Sequence, residues 1–223
     1  MMPILVYSLA FAAFGSAGGL VFLLWKKDSA SPAGLVLTGF ALGFASALPA
    51  WLVERFLLSY VRGGGTGRQL FTAFCAAGLV EETFKLLALK AACARKDFRG
   101  AGGAVSCAAA VGFGFAFLEN IFYTFGGPWV LLLRAFSSVP LHAAAAVFTG
   151  YGFGLSRFSY KPVLLWGFAA AVLLHGAYDF FLMKGSGYGY ISLALLAAAL
   201  YAAFCVFRAA QKLDANEGRI GRR

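Results

Sequence analysis

Long apolar stretches recur along the chain and are separated by short polar or glycine-rich segments. A helix needs ~20 apolar residues to cross the hydrocarbon core of a bilayer. The pattern predicts an all-α fold, a polytopic bundle of seven transmembrane helices at residues 3–25, 33–53, 70–92, 102–125, 129–156, 162–183 and 189–208. The second helix could continue to Tyr60, because the residues after 55 stay apolar. No intervening segment is long enough to fold separately, so residues 1–223 are expected to form a single membrane-embedded domain.

The composition supports this fold and narrows the partners. Hydrophobic residues make up 61% of the chain and charged residues 13%, against about 25% charged residues in soluble domains. The lipid bilayer must therefore cover much of the surface. The net charge of +10 arises from basic residues that lie between the apolar stretches, which favours the membrane surface over nucleic acid as a partner. The four cysteines lack CxxC spacing and are predicted to be structural.

The basic residues also predict an orientation, because cytoplasmic loops carry an excess of lysine and arginine. One side of the membrane receives Arg55, Arg62, Arg68 and Lys184. The other side receives thirteen basic residues, at positions 26, 27, 90, 95, 96, 99, 157, 161, 208, 212, 219, 222 and 223. The N-terminus is therefore expected outside and the C-terminus in the cytoplasm. Because Lys26 and Lys27 follow the first apolar stretch, that stretch is expected to stay as a helix and not to be cleaved as a signal peptide.

Four acidic residues and both histidines of the chain fall inside predicted helices three to six: Glu81, Glu82, Glu119, His142, His175 and Asp179. Such groups are costly at membrane depth and usually face the interior of a bundle or a water-filled cavity. A rise of ~1.5 Å per residue places Glu81, Glu119, His142 and His175 in the middle to outer half of the bilayer. The sequence therefore predicts one shared polar pocket that opens outward.

Helical spacing indicates which of these groups can interact. Glu81 and Lys85 are one turn apart, as are His175 and Asp179, so each pair can meet. We expect Asp179 to hold the imidazole of His175 in one tautomer. Glu81 and Glu82 lie ~100° apart around the helix, so one of them is expected to face the pocket.

Two histidines and several carboxylates provide donors that suit a divalent metal such as zinc. The candidate ligands are Glu81, Glu119, His142 and His175. A metal would polarise a carbonyl and activate water. Without one, a glutamate could activate water and a histidine could supply a proton. The residues alone leave both mechanisms open, whereas a serine nucleophile at Ser137 or Ser138 is disfavoured because GxSxG is absent. Asn120 is predicted to hydrogen-bond between helices, and Arg134 to anchor the helix or pair with a carboxylate.

Four short motifs occur in order on four successive predicted helices. EETFK at 81–85 resembles the EExxK motif of the PrsW family of intramembrane proteases, and FAFLEN at 115–120 resembles its FxxxEN motif. His142 and the small residues after it resemble the third motif, and HGAYD at 175–179 resembles the fourth, HxxxD. The resemblance implies a catalytic core at about 70–183. It implies catalytic roles for Glu81, Glu82, Glu119, His142 and His175, supported by Lys85, Asn120 and Asp179.

The same resemblance implies an endopeptidase related to the CAAX prenyl endopeptidases and the bacterial CAAX-like proteins. Those proteins carry EExxxR and a histidine in the second motif, where this chain has EExxK and Glu119, so a prenylated substrate is disfavoured. The implied substrate is a single-span membrane protein, such as a membrane-anchored anti-sigma factor cut at a first site outside the membrane. The implied location is the bacterial cytoplasmic membrane, with several passes. The oligomeric state is left open.

Two other classes of membrane protein also bury ionisable residues. A proton-coupled transporter or channel would use them as a proton relay, although the chain has no convincing inverted repeat. A non-enzymatic membrane partner would keep the pocket without turnover. Ion-dependent flux would favour the first alternative, and a partner recovered uncleaved would favour the second.

Overall fold

Helices account for every regular element in the computed structural model, which describes residues 2–25, 31–95, 98–158, 162–185 and 187–220. The elements are α1 (Met2–Trp25), α2 (Ala33–Tyr60), α3 (Gly65–Leu70), a π-helical segment (Phe71–Leu79), α4 (Val80–Ala92), α5 (Gly100–Phe122), a 3-10 turn (Tyr123–Gly126), α6 (Pro128–Phe136), α7 (Ser138–Phe158), α8 (Leu164–Met183) and α9 (Gly189–Ile220). The predicted all-α class is confirmed.

Five helical stretches are long and apolar enough to cross a membrane: Ala33–Tyr60, Gly100–Phe122, Pro128–Phe158, Leu164–Met183 and Gly189–Asn216. They coincide with five of the seven predicted spans. Helix α1 occupies the first predicted span, and α3, the π-helical segment and α4 together occupy the third. The predicted orientation, with the N-terminus outside, stays a prediction.

Helix α5 lies at the centre of the bundle and packs against α1, α2, α7 and α9. Its glycines and alanines let neighbouring backbones come close, as small residues do between membrane helices. One of these close contacts lies beside a predicted site residue. A Cβ atom on Gly112 would lie 2.6 Å from the carbonyl oxygen of His142. The contact between α5 and α7 therefore fixes where His142 stands.

The third predicted span is one continuous rod, but it is not a single α-helix. Its middle, Phe71–Leu79, is π-helical and leads directly into Glu81 and Glu82. The rod packs here against α8, where a Cβ on Gly78 would lie 3.1 Å from the Val172 carbonyl oxygen. π-Helical turns are rare and often occur at functional sites. The span predicted at 70–92 is helical throughout, and its hydrogen bonding is of the π type over this segment.

The fifth predicted span, 129–156, is broken at Ser137, whose backbone (φ −124°, ψ −73°) departs from helical geometry. Two features account for the break. The Ser137 hydroxyl donates to the Leu133 carbonyl at 2.7 Å. Pro140 has no N–H with which to continue the helical ladder. The break separates a short helix, α6, from α7, which carries His142 in its first turns.

Helix α9 continues to Ile220, beyond its predicted end at residue 208. The added turns bring Asp214 to the first residues of α5. Its two carboxylate oxygens accept hydrogen bonds from the Ala101 and Gly102 backbone N–H groups, each at 2.8 Å. The start of α5 has no side-chain cap of its own, so the end of α9 satisfies these N–H groups instead.

Candidate active site

A cavity of about 590 Å³ lies between α2, the π-helical rod, α5, α6, α7 and α8. Its walls include the C-terminal ends of α2, α5 and α8, which the distribution of basic residues predicts to face the outer side of the membrane. Five of the eight predicted site residues line it: Glu81, Glu119, His142, His175 and Asp179. The other three are buried behind its wall: Glu82, Lys85 and Asn120. The fold therefore brings all eight residues to one region.

The adjacent carboxylates Glu81 and Glu82 face different surroundings. Glu81 lines the cavity, whereas the side chain of Glu82 is completely buried. Lys85 joins them, because its Nζ donates to Glu81 Oε2 at 3.2 Å and to Glu82 Oε1 at 2.8 Å. The Lys85 ammonium also lies 4.3 Å from the ring centroid of Phe115. A buried charge of this kind is tolerated when it is paired, and here one cation serves two carboxylates.

His142 makes a polar contact with each ring nitrogen. Its Nε2 lies 2.7 Å from Glu119 Oε2 and 3.3 Å from Ser138 Oγ. Its Nδ1 lies 2.8 Å from Lys85 Nζ and 3.6 Å from Glu81 Oε2. A lysine ammonium can only donate, so Nδ1 accepts and Nε2 carries the ring proton. The acceptor nitrogen, Nδ1, thus lies on the side of Lys85 and Glu81.

His175 has a comparable arrangement on α8. Its Nδ1 lies 2.9 Å from Glu82 Oε1. Its Nε2 lies 3.8 Å from Glu81 Oε2 and 3.5 Å from Asp179 Oδ2. Asp179 therefore approaches the same nitrogen as Glu81 does, and Glu82 makes the shorter contact, with the opposite nitrogen. The two imidazole rings meet edge to face, with centroids 5.0 Å apart.

Arg134 of α6 contacts two consecutive site residues of α5, Glu119 and Asn120. Its Nη2 lies 2.7 Å from Glu119 Oε1, and its Nε donates to Asn120 Oδ1 at 2.8 Å. The guanidinium carbon lies 3.8 Å from the ring centroid of Tyr123. The sequence indicated a carboxylate partner for Arg134 and an interhelical hydrogen bond for Asn120, and both contacts are present.

Three of these side chains offer a donor set for a metal ion. Glu81, His142 and His175 each place one ligand atom within 4.8 Å of the other two. Ligands ~2.0–2.2 Å from a tetrahedral zinc ion lie ~3.3–3.5 Å apart, close to the 3.6 and 3.8 Å between Glu81 Oε2 and the two nitrogens. Each imidazole has a carboxylate on its other nitrogen, which is usual for metal-binding histidines. The residues therefore fit a divalent metal.

Glu119, a candidate ligand from the sequence, lies outside this donor set, because it contacts the opposite nitrogen of His142. Sequence reasoning also missed cavity residues, among them Glu54, Arg55, Tyr123 and Tyr178. Helical phase could have found the first two. Once α2 is extended to Tyr60, positions 47, 51, 54, 55 and 58 share one face, and all five line the cavity.

Comparison with known proteins agrees with this geometry. A protein-family model described as PrsW family intramembrane metalloprotease matches residues 31–208. The chain belongs to the PrsW family. Similar proteins from several bacteria carry the name Protease PrsW. The one from Bacillus subtilis is 32% identical over 197 residues, which cover 84% of this chain and 89% of that protein. No solved structure matches the chain.

Two other PrsW relatives come from Geobacillus kaustophilus and Clostridioides difficile. The first is 30% identical over 192 residues, which cover 83% of this chain and 84% of the relative. The second is 30% identical over 143 residues, which cover 59% and 60%. Membership of the PrsW family makes the chain an intramembrane protease, and so favours proteolysis over the transporter and the non-enzymatic partner.

Proposed function

We propose that this PrsW-family protease cleaves a single-span membrane protein near the outer face of the bacterial cytoplasmic membrane. The observation that carries the proposal is the cluster of Glu81, His142 and His175 on the wall of the cavity, with Glu81 Oε2 3.6 and 3.8 Å from the two imidazoles. The cluster combines metal-ligand atoms with groups that can accept and donate protons. The cavity extends towards the predicted outer side of the membrane.

In this proposal Glu81, His142 and His175 hold a divalent metal, and Glu119 and Glu82 orient the two imidazoles. A metal bound there would polarise the scissile carbonyl and activate a water molecule. Asp179 then takes the proton of the attacking water and returns it to the leaving amine. It lines the cavity 3.5 Å from His175 Nε2.

The position of Lys85 supports a second mechanism. Its ammonium already lies 2.8 Å from His142 Nδ1 and 3.2 Å from Glu81 Oε2, where it neutralises the donor set as a cation would. In this metal-free mechanism Glu81 itself takes the proton of the attacking water. Metal content distinguishes the two mechanisms.

The proposed site of cleavage follows from the position of the cavity. The walls near the outer side are apolar as well as charged, because Trp51, Phe122, Leu133 and Leu182 also line it. An apolar peptide segment at the end of a membrane helix would suit such walls. The substrate class implied by the family resemblance, a membrane-anchored anti-sigma factor, has a segment of this kind.

The test measures metal content and cleavage together, in detergent-purified protein. The substrates are a panel of single-span membrane proteins from the source organism. The metal mechanism predicts about one metal per chain in the wild type, loss of metal and cleavage in Glu81→Gln, and loss of cleavage with retained metal in Asp179→Asn. The matched control is Glu54→Gln, which neutralises a carboxylate of the same cavity outside the donor set and should keep the metal.

Cleavage by metal-free protein, lost in Glu81→Gln, would establish the mechanism in which Glu81 is the base. Full cleavage by Glu81→Gln would overturn both mechanisms. Cleavage fragments that end near the cytoplasmic end of the substrate helix would contradict the proposed outer site.

A further inference from the structure

Helix α6 is a short element that stands apart from the long spans. It begins after Gly127, which has a positive φ of 88°, and ends at the break at Ser137. It packs mainly against α1 and α7. Much of its remaining surface is apolar and exposed, including Trp129, Leu133 and Phe136. Its principal polar connection to the cavity is Arg134.

The contacts of Arg134 are specific and partly buried. One nitrogen, Nη2, lies 2.7 Å from Glu119 and another, Nε, donates to Asn120, so the guanidinium engages two consecutive residues of α5. Tyr123 covers its face at 3.8 Å. The Arg134 and Glu119 side chains are only 15% and 17% exposed. A planar guanidinium held in this way has little freedom, unlike a lysine ammonium.

Glu119 uses its two oxygens for two partners. Oε1 lies 2.7 Å from Arg134, and Oε2 lies 2.7 Å from Nε2 of His142. A carboxylate on the far nitrogen of a histidine fixes the tautomer and orientation of the ring. The orientation of His142 Nδ1 towards Glu81 therefore depends on a carboxylate whose own position depends on α6.

We propose that Arg134 is a positioning residue that sets the orientation of His142 through Glu119, so that the placement of α6 controls how tightly the donor set holds its metal. This inference rests on the proposed metal site. It assigns a function to a residue outside the four sequence motifs. It also implies that a shift of α6, whose apolar side chains lie beside the cavity, would change the orientation of His142.

Loss of the Arg134 charge and loss of its contacts should change the metal affinity in opposite directions, so a substitution of Arg134 can test the inference. Removing the positive charge of Arg134 would by electrostatics alone strengthen the binding of a cation nearby. Removing its hold on Glu119 should weaken binding, because loss of an orienting partner typically costs about 10–100-fold in metal affinity. We therefore expect Arg134→Gln to bind Zn²⁺ roughly tenfold more weakly than the wild type.

The experiment measures Zn²⁺ dissociation constants of the full chain in detergent, by competition with a chelator of known affinity. Arg134→Lys keeps the charge but cannot reproduce both contacts, so its loss should be smaller than that of Arg134→Gln. If the two residues act in one path, Arg134→Gln should add little to Glu119→Gln in the double variant. The matched control is Arg55→Gln, which removes a positive charge from the same cavity and should not weaken Zn²⁺ binding.

Zn²⁺ affinity in Arg134→Gln equal to or tighter than that of the wild type would overturn the inference, as would losses that add independently in the double variant. If Arg134→Gln fails to give a cooperative thermal transition, Arg134→Lys alone decides, and wild-type affinity in that variant is the contrary result. Failure of the proposed metal site is distinguishable, because the wild type itself would then bind no Zn²⁺ at this site and Glu81→Gln would change nothing.

Discussion

Gly112 of α5 offers a direct test of how closely catalysis depends on helix spacing. A Cβ atom at this position would lie 2.6 Å from the carbonyl oxygen of His142 and 2.8 Å from Cα of Ala143. Ordinary contact begins at 3.4 Å, so Gly112→Ala requires α5 and α7 to separate by about 0.8 Å. Both neighbouring atoms belong to the backbone, so no side-chain rotation can relieve the contact.

This shift is applied at the residue that carries a proposed ligand. Displacements of ~1 Å at a catalytic group can reduce rates by about 10²-fold, and overpacking of this kind costs about 1–3 kcal/mol of stability. We expect kcat/KM of Gly112→Ala to fall roughly 100-fold while the protein still folds. The assay is cleavage of a verified substrate, with thermal unfolding measured on the same preparation.

Gly18→Ala is the matched control for Gly112→Ala, because a Cβ at Gly18 of α1 meets no atom within 4 Å. That variant should keep wild-type activity and unfold at the same or a slightly higher temperature, since alanine suits a helix better than glycine. Wild-type kcat/KM in folded Gly112→Ala would refute the argument. It would mean that the approach of α5 to α7 does not determine where His142 acts.

Three further changes test other contacts. Asp214→Ala should lower the free energy of unfolding by about 1 kcal/mol, as loss of a helix cap does. The thermal midpoint should fall without a change in metal content, and an unchanged midpoint would contradict the capping role. Lys85→Met should strongly destabilise metal-free protein, because Glu82 loses its cation. Zn²⁺ should raise the thermal midpoint of this variant more than that of the wild type. Equal rises would contradict the idea that the Lys85 ammonium and the metal occupy neighbouring positions. If the metal mechanism holds, a chelator should abolish cleavage and Zn²⁺ should restore it, and activity that survives verified metal removal would exclude it.

Sequence reasoning was most effective where one physical constraint dominated. Lipid solvation forces long apolar helices, so the positions of the spans could be read from hydropathy. The cost of burying charge made Glu81, Glu119, His142 and His175 conspicuous, and the structure places them around one cavity. Helical phase also predicted that only one of Glu81 and Glu82 would face it.

The remaining features depend on contacts that a single sequence does not display. The π-helical turns coincide with the packing of Gly78 and Gly176 between the rod and α8, and the residues of 71–79 are compatible with an ordinary α-helix. The break at Ser137 could be suspected from Pro140 but not placed. Which oxygen of Glu119 meets which neighbour is decided by side-chain geometry, so its position beside His142, outside the donor set, was not foreseeable.

Because the third span contains the π-helical segment, the direction in which Glu81 points depends on the number of residues in that segment as well as on their identity. Each π-type hydrogen bond encloses one more residue than an α-type bond does. Deleting one residue between 71 and 79 would therefore allow the turn to relax towards α geometry, and would change the rotation of the preceding residues relative to Glu81. The chain could keep Glu81 facing the cavity only by rotating α3 and the loop at 61–64. The nine residues of the π-helical segment thus help to set the rotation of Glu81 about the helix axis, whereas a change of length in the exposed loop at 61–64 lies outside the helix and leaves that rotation unaltered.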